Sequence, residues 1–429
     1  MKIAIVGLWH LGCVYSASLA SLNHSIVAID EDPVRISLLQ DGGIPVEEPS
    51  LSELIHAGVL AGNLRFSADL SEVAQAHIVW ITVDTPVRDD DTADSNSVIA
   101  LIERVSQLVK DNTIIVISSQ LPLGSSRHIK NTIAERRPSS NIDIAYSPEN
   151  LRLGSAINAF RYPDRIIIGT SSSKAVETLS TVLAPLEVPI ISMSLESAEL
   201  TKHALNSFLA MSVAFANEIA RIAEVTNADA RDVAKALKSD PRIGSRAYVA
   251  PGGPIAGGTL ARDIRYLEKI ADQANIVLPV VNAIMSSHSE QQQWPVRAIT
   301  KLLKPGDGRV LILGIAYKSG TSTLRRSFGI DTATRLHSIG YDVAILDALA
   351  EDLPSQLSHF KRFNDLSSAA SESSAIIICG PEASISKIPE VLEETQKKFF
   401  VLDAIGAISG SLGNNVAEYI YSPGKGVAL

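Results

Sequence analysis

Lys202 and Asn206 stand four residues apart in AELTKHALNSFLAMSVAFANE, a stretch without proline or glycine. At that spacing a cation and an amide share one face of a helix. Leu205, Phe208 and Leu209 form the apolar stripe beside them. A lysine on such a face also reads as a surface residue whose stem covers its neighbours; its pairing with Asn206 points toward function. A carboxylate, Glu149, lies in YSPENLRLGSA directly after an apolar run that predicts a strand, and Pro148 fixes the backbone before it. Strand ends of doubly wound sheets are where ligands bind, although an ordinary acidic loop would look similar. In GGPIAGGTLARD, Gly252 to Asp263, four glycines and Pro254 make a structured loop that ends in charge. Thr259 is its only candidate nucleophile. Asp263 can cap or polarise the segment after it or face a site, and a plain helix start is the other reading.

A different kind of chemistry is suggested by GLWHLG, Gly7 to Gly12. A dinucleotide fingerprint wants glycine at its first, third and sixth positions, for the tight turn, for backbone approach to pyrophosphate and for close helix–strand packing. Gly7 and Gly12 satisfy the first and the last. The middle position is Trp9, whose side chain stands where backbone should meet phosphate. Asp30 follows Gly7 by 23 residues, at the end of a second apolar run. An acid there bonds a ribose hydroxyl and favours NAD over NADP.

The elements that must position these residues are set by hydrophobic period. Lys2–Val6, Ser25–Ile29, His77–Val83, Thr113–Ser118, Asp143–Ala145 and Arg165–Gly169 read as buried strands separated by helical patterns. Ser197–Glu224 predicts one long helix, followed by helices at Ala230–Lys238, Leu260–Ala274 and Val280–Lys304. Strands resume at Arg309–Leu313, Asp342–Leu346, Ala375–Cys379 and Phe399–Leu402. The expected fold is α/β, with two Rossmann-like doubly wound parallel-sheet domains joined by a long central helix and a helical middle domain. The expected domains are residues 1–196, 197–305 and 306–429.

The 429 residues exceed one ordinary core, and the 46% hydrophobic and 20% charged composition is that of a globular protein. A formal net charge of −9, without a basic block, argues against nucleic acid as a partner. Cys13 and Cys379 are too few and too far apart for a disulfide framework or a zinc site. No apolar run is long enough to span a membrane, and the N-terminal run reads as a strand, so the cytoplasm is the expected location.

Together these pieces, in this order along nearly the whole chain, resemble the UDP-glucose/GDP-mannose dehydrogenase family. SPENLRLG at Ser147–Gly154 is similar to the family's NPEFLREG, and PDRIIIG comes next at Pro163–Gly169. Lys202, Asn206 and NSFLA match its lysine–asparagine helix. Asp240, Arg242, Ile243 and Gly244 match its DxRIG, and LGIAYK at Leu313–Lys318 matches LGxAFK.

The resemblance implies roles. Asp30 would hold the adenosine ribose of NAD. The other cofactor contacts would come from Gly7, Trp9, His10, Leu11, Gly12, Arg35, Val83, Thr85, Gln120 and Arg325. Lys202 and Asn206 would bind the oxygen being oxidised, while Asp263 and Glu149 would hold a water for proton transfer. Glu149, Asn150, Leu151, Tyr248, Val249, Pro251, Gly252 and Lys318 would contact the sugar nucleotide. Arg242 would reach a neighbouring subunit's substrate, which implies a homodimer or a larger homo-oligomer.

The departures gather at the site. Where the family reads GGSCFPKD, alignment of Gly257 and Asp263 puts Thr259 at the nucleophilic cysteine and Arg262 at the lysine. Gln120 replaces the threonine of STVP, Asn150 replaces a phenylalanine, and Ser322 and Thr323 replace acids. The family oxidises a primary alcohol to an acid in two hydride transfers, and the second requires an adduct on the aldehyde. A cysteine, with its pKa of roughly 8.5, offers some thiolate near neutral pH. A threonine hydroxyl needs a strong adjacent base, and no histidine lies in this loop. One hydride transfer is therefore expected, from a secondary alcohol of a nucleotide sugar to a ketone, as in specialised pathways such as those of antibiotic sugars. A four-electron reaction and a non-catalytic sugar-nucleotide-binding protein are the alternatives.

Overall fold

The computed structural model describes residues 1–85, 94–149, 151–255, 258–316, 324, 326–348, 355–394, 399–408 and 420–425. It divides the chain into two compact units, Met1–Ala204 and Leu205–Leu429. The boundary falls within one continuous helix, Leu195–Thr226, here the central helix.

The first unit is built on an eight-stranded sheet. Its strands are β1 (Lys2–Val6), β2 (Ser25–Ile29), β3 (Leu64–Ser67), β4 (Ile78–Ile81), β5 (Ile114–Ile117), β6 (Asp143–Tyr146), β7 (Ile166–Gly169) and β8 (Ile190–Met193), in the order 3-2-1-4-5-6-7-8. β1, β4 and β5 are buried along nearly their whole length, because helices cover both faces of the sheet. Two apolar clusters result, one around Ile3, Ile5 and Trp80 and one around Ala4, Ile81 and Ile117. The order changes direction between β1 and β4, and the crevice at such a switch is where α/β sheets take ligands.

The parallel pattern has one exception. β6 and β7 meet in an antiparallel pair, Tyr146 opposite Gly169, and β8 runs parallel to β7. The helix in the connection, Ala156–Arg161, packs Phe160 against Tyr15, with ring centroids 5.0 Å apart, instead of running back along the sheet.

The second unit carries a parallel sheet of β9 (Arg309–Leu313), β10 (Asp342–Leu346), β11 (Lys361–Phe363), β12 (Ser373–Ile378), β13 (Phe400–Asp403) and β14 (Ile420–Tyr421), in the order 11-10-9-12-13-14. Its helical part contains Ala230–Ser239, Gly258–Ala274, Pro279–Gln292 and Trp294–Leu302. The single helix expected over Val280–Lys304 is thus two helices. Pro295, at the second position of the new helix, has no N–H to continue the old one. Among the described residues no helix is long and apolar enough to cross a membrane.

Candidate active site

The glycine turn after β1 is built for close approach. Gly7 has φ of +97°, and a Cβ there would lie 2.4 Å from the Val83 side chain. A Cβ on Gly12 would lie 1.8 Å from the Gly7 carbonyl oxygen. Both positions therefore require glycine. Thr82 Oγ1 donates to that carbonyl at 2.8 Å and holds the turn against β4. Trp9 is the N-cap of the helix His10–Ser21, in extended conformation and with no side-chain cap bond. The leading N–H groups of that helix are therefore not closed off by Trp9, as an anion site requires. The indole is 43% exposed, and the Arg35 guanidinium lies 5.4 Å from its centroid.

Asp30, at the end of β2, is buried. Its Oδ2 accepts from Leu8 N–H and Arg35 Nη1, each at 2.7 Å, and its Oδ1 accepts from Asp32 N–H at 3.0 Å. The carboxylate is thus fixed to the turn and to the helix Pro33–Gln40. Thr85 Oγ1 donates to the Gln120 carbonyl at 2.5 Å, which joins the loops after β4 and β5. The turn, the uncapped helix start and the acid fit NAD. Arg325 lies outside the described residues.

The SPENLRLG loop leaves β6 with Ser147 tied to the sheet, its Oγ donating to the Ile167 carbonyl at 3.0 Å. Glu149 Oε2 accepts from Leu151 N–H at 2.7 Å, and Leu151 packs against the core. Lys202 donates from Nζ to the Glu149 carbonyl oxygen and stands 3.3 Å from Oε1. The lysine is buried, 7% exposed, and ion-paired, so it is not a surface residue covering apolar neighbours. Asn150 lies outside the described residues.

In the second unit, Asn206 Nδ2 donates to Asp263 Oδ2 at 2.5 Å. Asp263 has no solvent exposure and lies inside the helix Gly258–Ala274. It is therefore not the N-cap that the sequence allowed. The loop before this helix is pinned on both sides. Asn217 accepts from Gly252 N–H and donates to the Gly253 carbonyl, both at 3.0 Å, and Gln291 Nε2 donates to the Gly252 carbonyl at 2.7 Å. A Cβ on Gly252 would come within 2.9 Å of the Ile405 carbonyl oxygen. Ile255 N–H donates to His288 Nδ1 at 3.2 Å, which requires that nitrogen to be unprotonated, and burial lowers the His288 pKa. Val249 and Pro251 are buried, whereas Tyr248 is exposed.

Thr259 is exposed in the first turn of the helix Gly258–Ala274. Neither cysteine can serve in its place. Cys13 and Cys379 are buried, and burial pushes both thiols up to about 12. Arg242 projects into solvent and pairs with Asp240, Nη2 to Oδ2, at 2.6 Å. Lys318, Ser322 and Thr323 lie outside the described residues.

Several site-building residues went unread in the sequence. Buried Glu199, on the central helix, accepts from Gly124 and Ser126 N–H at 2.6 and 2.8 Å and so fixes the loop that carries Gln120. Glu48 does the same for the SPENLRLG loop, accepting from Gly154 and Ala156 N–H. Asn217 could have been found, since it follows Asn206 by 11 residues, three helical turns.

Family models match the chain in three consecutive stretches. Residues 1–187 match the NAD binding domain of the UDP-glucose/GDP-mannose dehydrogenase family, 196–289 its central domain and 311–410 its UDP binding domain. A UDP-glucose 6-dehydrogenase of Bacillus subtilis (YwqF) is 30% identical over 397 residues, 91% of this chain and 89% of the relative. A UDP-glucose 6-dehydrogenase of Rhizobium meliloti is 31% identical over 389 residues, 88% and 89% of the two chains. Among solved structures, a UDP-glucose dehydrogenase from Pyrobaculum islandicum superposes with a TM-score of 0.86 at 26% identity, covering 99% of this chain and 97% of the other.

Proposed function

The chain belongs to the UDP-glucose/GDP-mannose dehydrogenase family, and on that premise we propose that it performs a single two-electron oxidation, converting a secondary alcohol of a nucleotide sugar to a ketone. It is an NAD-dependent oxidoreductase that acts on the CH–OH of a nucleotide sugar. Thr259, at the position of the family's nucleophile, is the observation that carries the narrower reading. With both thiols buried, the described site supplies no sulfur to form an adduct on an aldehyde. A ketone needs none, because its carbonyl carbon holds no further hydrogen to give up.

NAD, when bound, accepts the hydride from the alcohol carbon. Gly7, Trp9, His10, Leu11 and Gly12 would hold its phosphates, with Asp30 and Arg35 at its ribose. Val83, Thr85 and Gln120 would line the same turn. Lys202 brings a positive charge, and Asn206 an amide, to the oxygen being oxidised. As the resemblance implies, Asp263 and Glu149 would hold a water that takes the alcohol proton. Proton transfer to a placed base contributes about 10²–10⁴ in rate. Leu151, Tyr248, Val249, Pro251 and Gly252 contact the nucleotide sugar.

A homo-oligomer is part of the same proposal, with Arg242 reaching the neighbouring subunit's site. Exposed Phe208, Phe215 and Ile222 recur every seventh residue on the central helix, an apolar stripe that a second copy would cover.

The test is stoichiometric. Purified protein is incubated with NAD and a panel of nucleotide sugars, NADH per sugar is counted, and the product is trapped with hydroxylamine and located by NMR. One NADH and a ring ketone are expected. Conversion of UDP-glucose to UDP-glucuronate with two NADH per sugar would sink the proposal.

A further inference from the structure

Glu48 follows the helix Pro33–Gln40 and touches the site only through other residues. Its side chain has no solvent exposure. Its Oε2 accepts two hydrogen bonds, from His10 Nε2 at 2.8 Å and from Gly154 N–H at 2.7 Å. Its Oε1 accepts from Ala156 N–H at 2.7 Å. A buried carboxylate is tolerated only when its oxygens are satisfied in this way. The three donors come from two segments. His10 is the first residue of the helix behind the glycine turn, while Gly154 and Ala156 close the loop that carries Glu149.

Capping the helix Ala156–Arg161 would explain only part of this arrangement. The backbone donors Gly154 and Ala156 suffice for a cap, and His10 adds nothing to it. What His10 adds is a connection. It shares Oε2 with Gly154 N–H, so a displacement of the imidazole moves the acceptor of the Gly154 bond with no flexible group between. Gly154, at φ of +84°, is three residues from Leu151, whose N–H orients the Glu149 carboxylate at 2.7 Å.

We propose that Glu48, with His10, is a positioning strut through which occupancy of the dinucleotide turn is transmitted to the loop that carries Glu149. The proposal rests on the reading of that turn as the NAD site. A ligand on the helix N-terminus restrains the His10 backbone; the imidazole then holds Oε2, and Oε2 holds Gly154. Glu48 is a positioning residue in this scheme and acts on no reacting atom.

Hydrogen–deuterium exchange of a peptide spanning residues 151–156, with and without saturating NAD, reads the strut directly. Calorimetry reports NAD binding separately. In the wild type, NAD should slow exchange of this peptide by about fivefold or more, the scale of one strengthened hydrogen bond. The comparison is made at NAD concentrations that calorimetry shows to saturate each variant: there His10→Leu should lose that slowing, and His10→Gln, whose amide can donate to the same oxygen, should restore it. Where His10→Leu binds NAD too weakly to saturate, Glu48→Gln carries the same comparison. NAD-dependent slowing that persists in the Leu variant overturns the strut and leaves Glu48 as a cap. NAD heat without slowing in the wild type overturns the strut alone, and no NAD heat overturns the cofactor reading with it.

Discussion

Asn206 on the central helix donates from Nδ2 to Oδ2 of Asp263 across 2.5 Å, and the carboxylate it meets is fully buried. Burying a carboxylate carries a desolvation cost that its partners must offset, and an isosteric amide removes that cost along with the charge. Asp263→Asn is therefore expected to separate activity from stability. Loss of the charge should lower kcat by roughly 10²-fold or more, the scale of a lost proton acceptor, with the melting temperature nearly unchanged. A fall in kcat of less than about tenfold in a well-folded variant would remove Asp263 from the proton path.

Thr259 tests the single-oxidation reading from the other side. Its side chain is exposed in the first turn of its helix, and His288, on the helix Pro279–Gln292, uses Nδ1 to accept from Ile255 N–H. A hydroxyl without a strong base is a poor nucleophile. Thr259→Ala should keep kcat within about threefold of wild type, since no covalent step of the size that base-activated nucleophiles supply is lost. NADH per sugar should stay at one. A loss beyond about 10²-fold would show that the hydroxyl takes part in the chemistry.

At the glycine turn the expected effect is steric. A methyl group at residue 12 would stand 1.8 Å from the Gly7 carbonyl oxygen, and backbone offers no flexible end to move aside. Gly12→Ala should displace the helix His10–Ser21 from β1 and lower stability by about 1–3 kcal/mol, the usual cost of overpacking. Calorimetric NAD binding should weaken beyond detection. Tight binding in the alanine variant would mean that this turn is not where the dinucleotide sits.

How much of this was legible depended on whether a residue's partners lie near in sequence. Strands such as Lys2–Val6 and Arg309–Leu313 announce themselves as unbroken apolar runs that stop at glycine, because both faces of a parallel sheet are covered. The edge strands Leu64–Ser67 and Lys361–Phe363 are short and partly polar, and carry no such signal. Helical spacing put Lys202 and Asn206 on one helix, where both are buried. Glu48 was not, since the amides it serves come 106 and 108 residues later and an amide has no side chain to mark it. The glycines and prolines of Gly252–Asp263 mark a shaped turn before a helix, but the side chains that pin Gly252, Asn217 and Gln291, look like ordinary helix polars until the fold brings them there.

His288 gives that loop a pH dependence whose sign can be worked out. Its Nδ1 accepts from Ile255 N–H, so the ring must be neutral there, and burial lowers its pKa below the ordinary 6.5. The unfolded chain thus takes up a proton before the folded one does. The stability contributed by the neutral ring is complete above about pH 6.5 and is lost as pH falls below it toward the lower folded value. His288→Asn removes the titration while leaving a carbonyl oxygen able to accept from Ile255. The melting temperature of wild type minus that of the variant should be largest near pH 7.5 and shrink steadily toward pH 5, a range in which carboxylates elsewhere titrate alike in both proteins. Two parallel melting curves across that range would show that the imidazole stays neutral without cost, and that the loop is held by Asn217 and Gln291 alone.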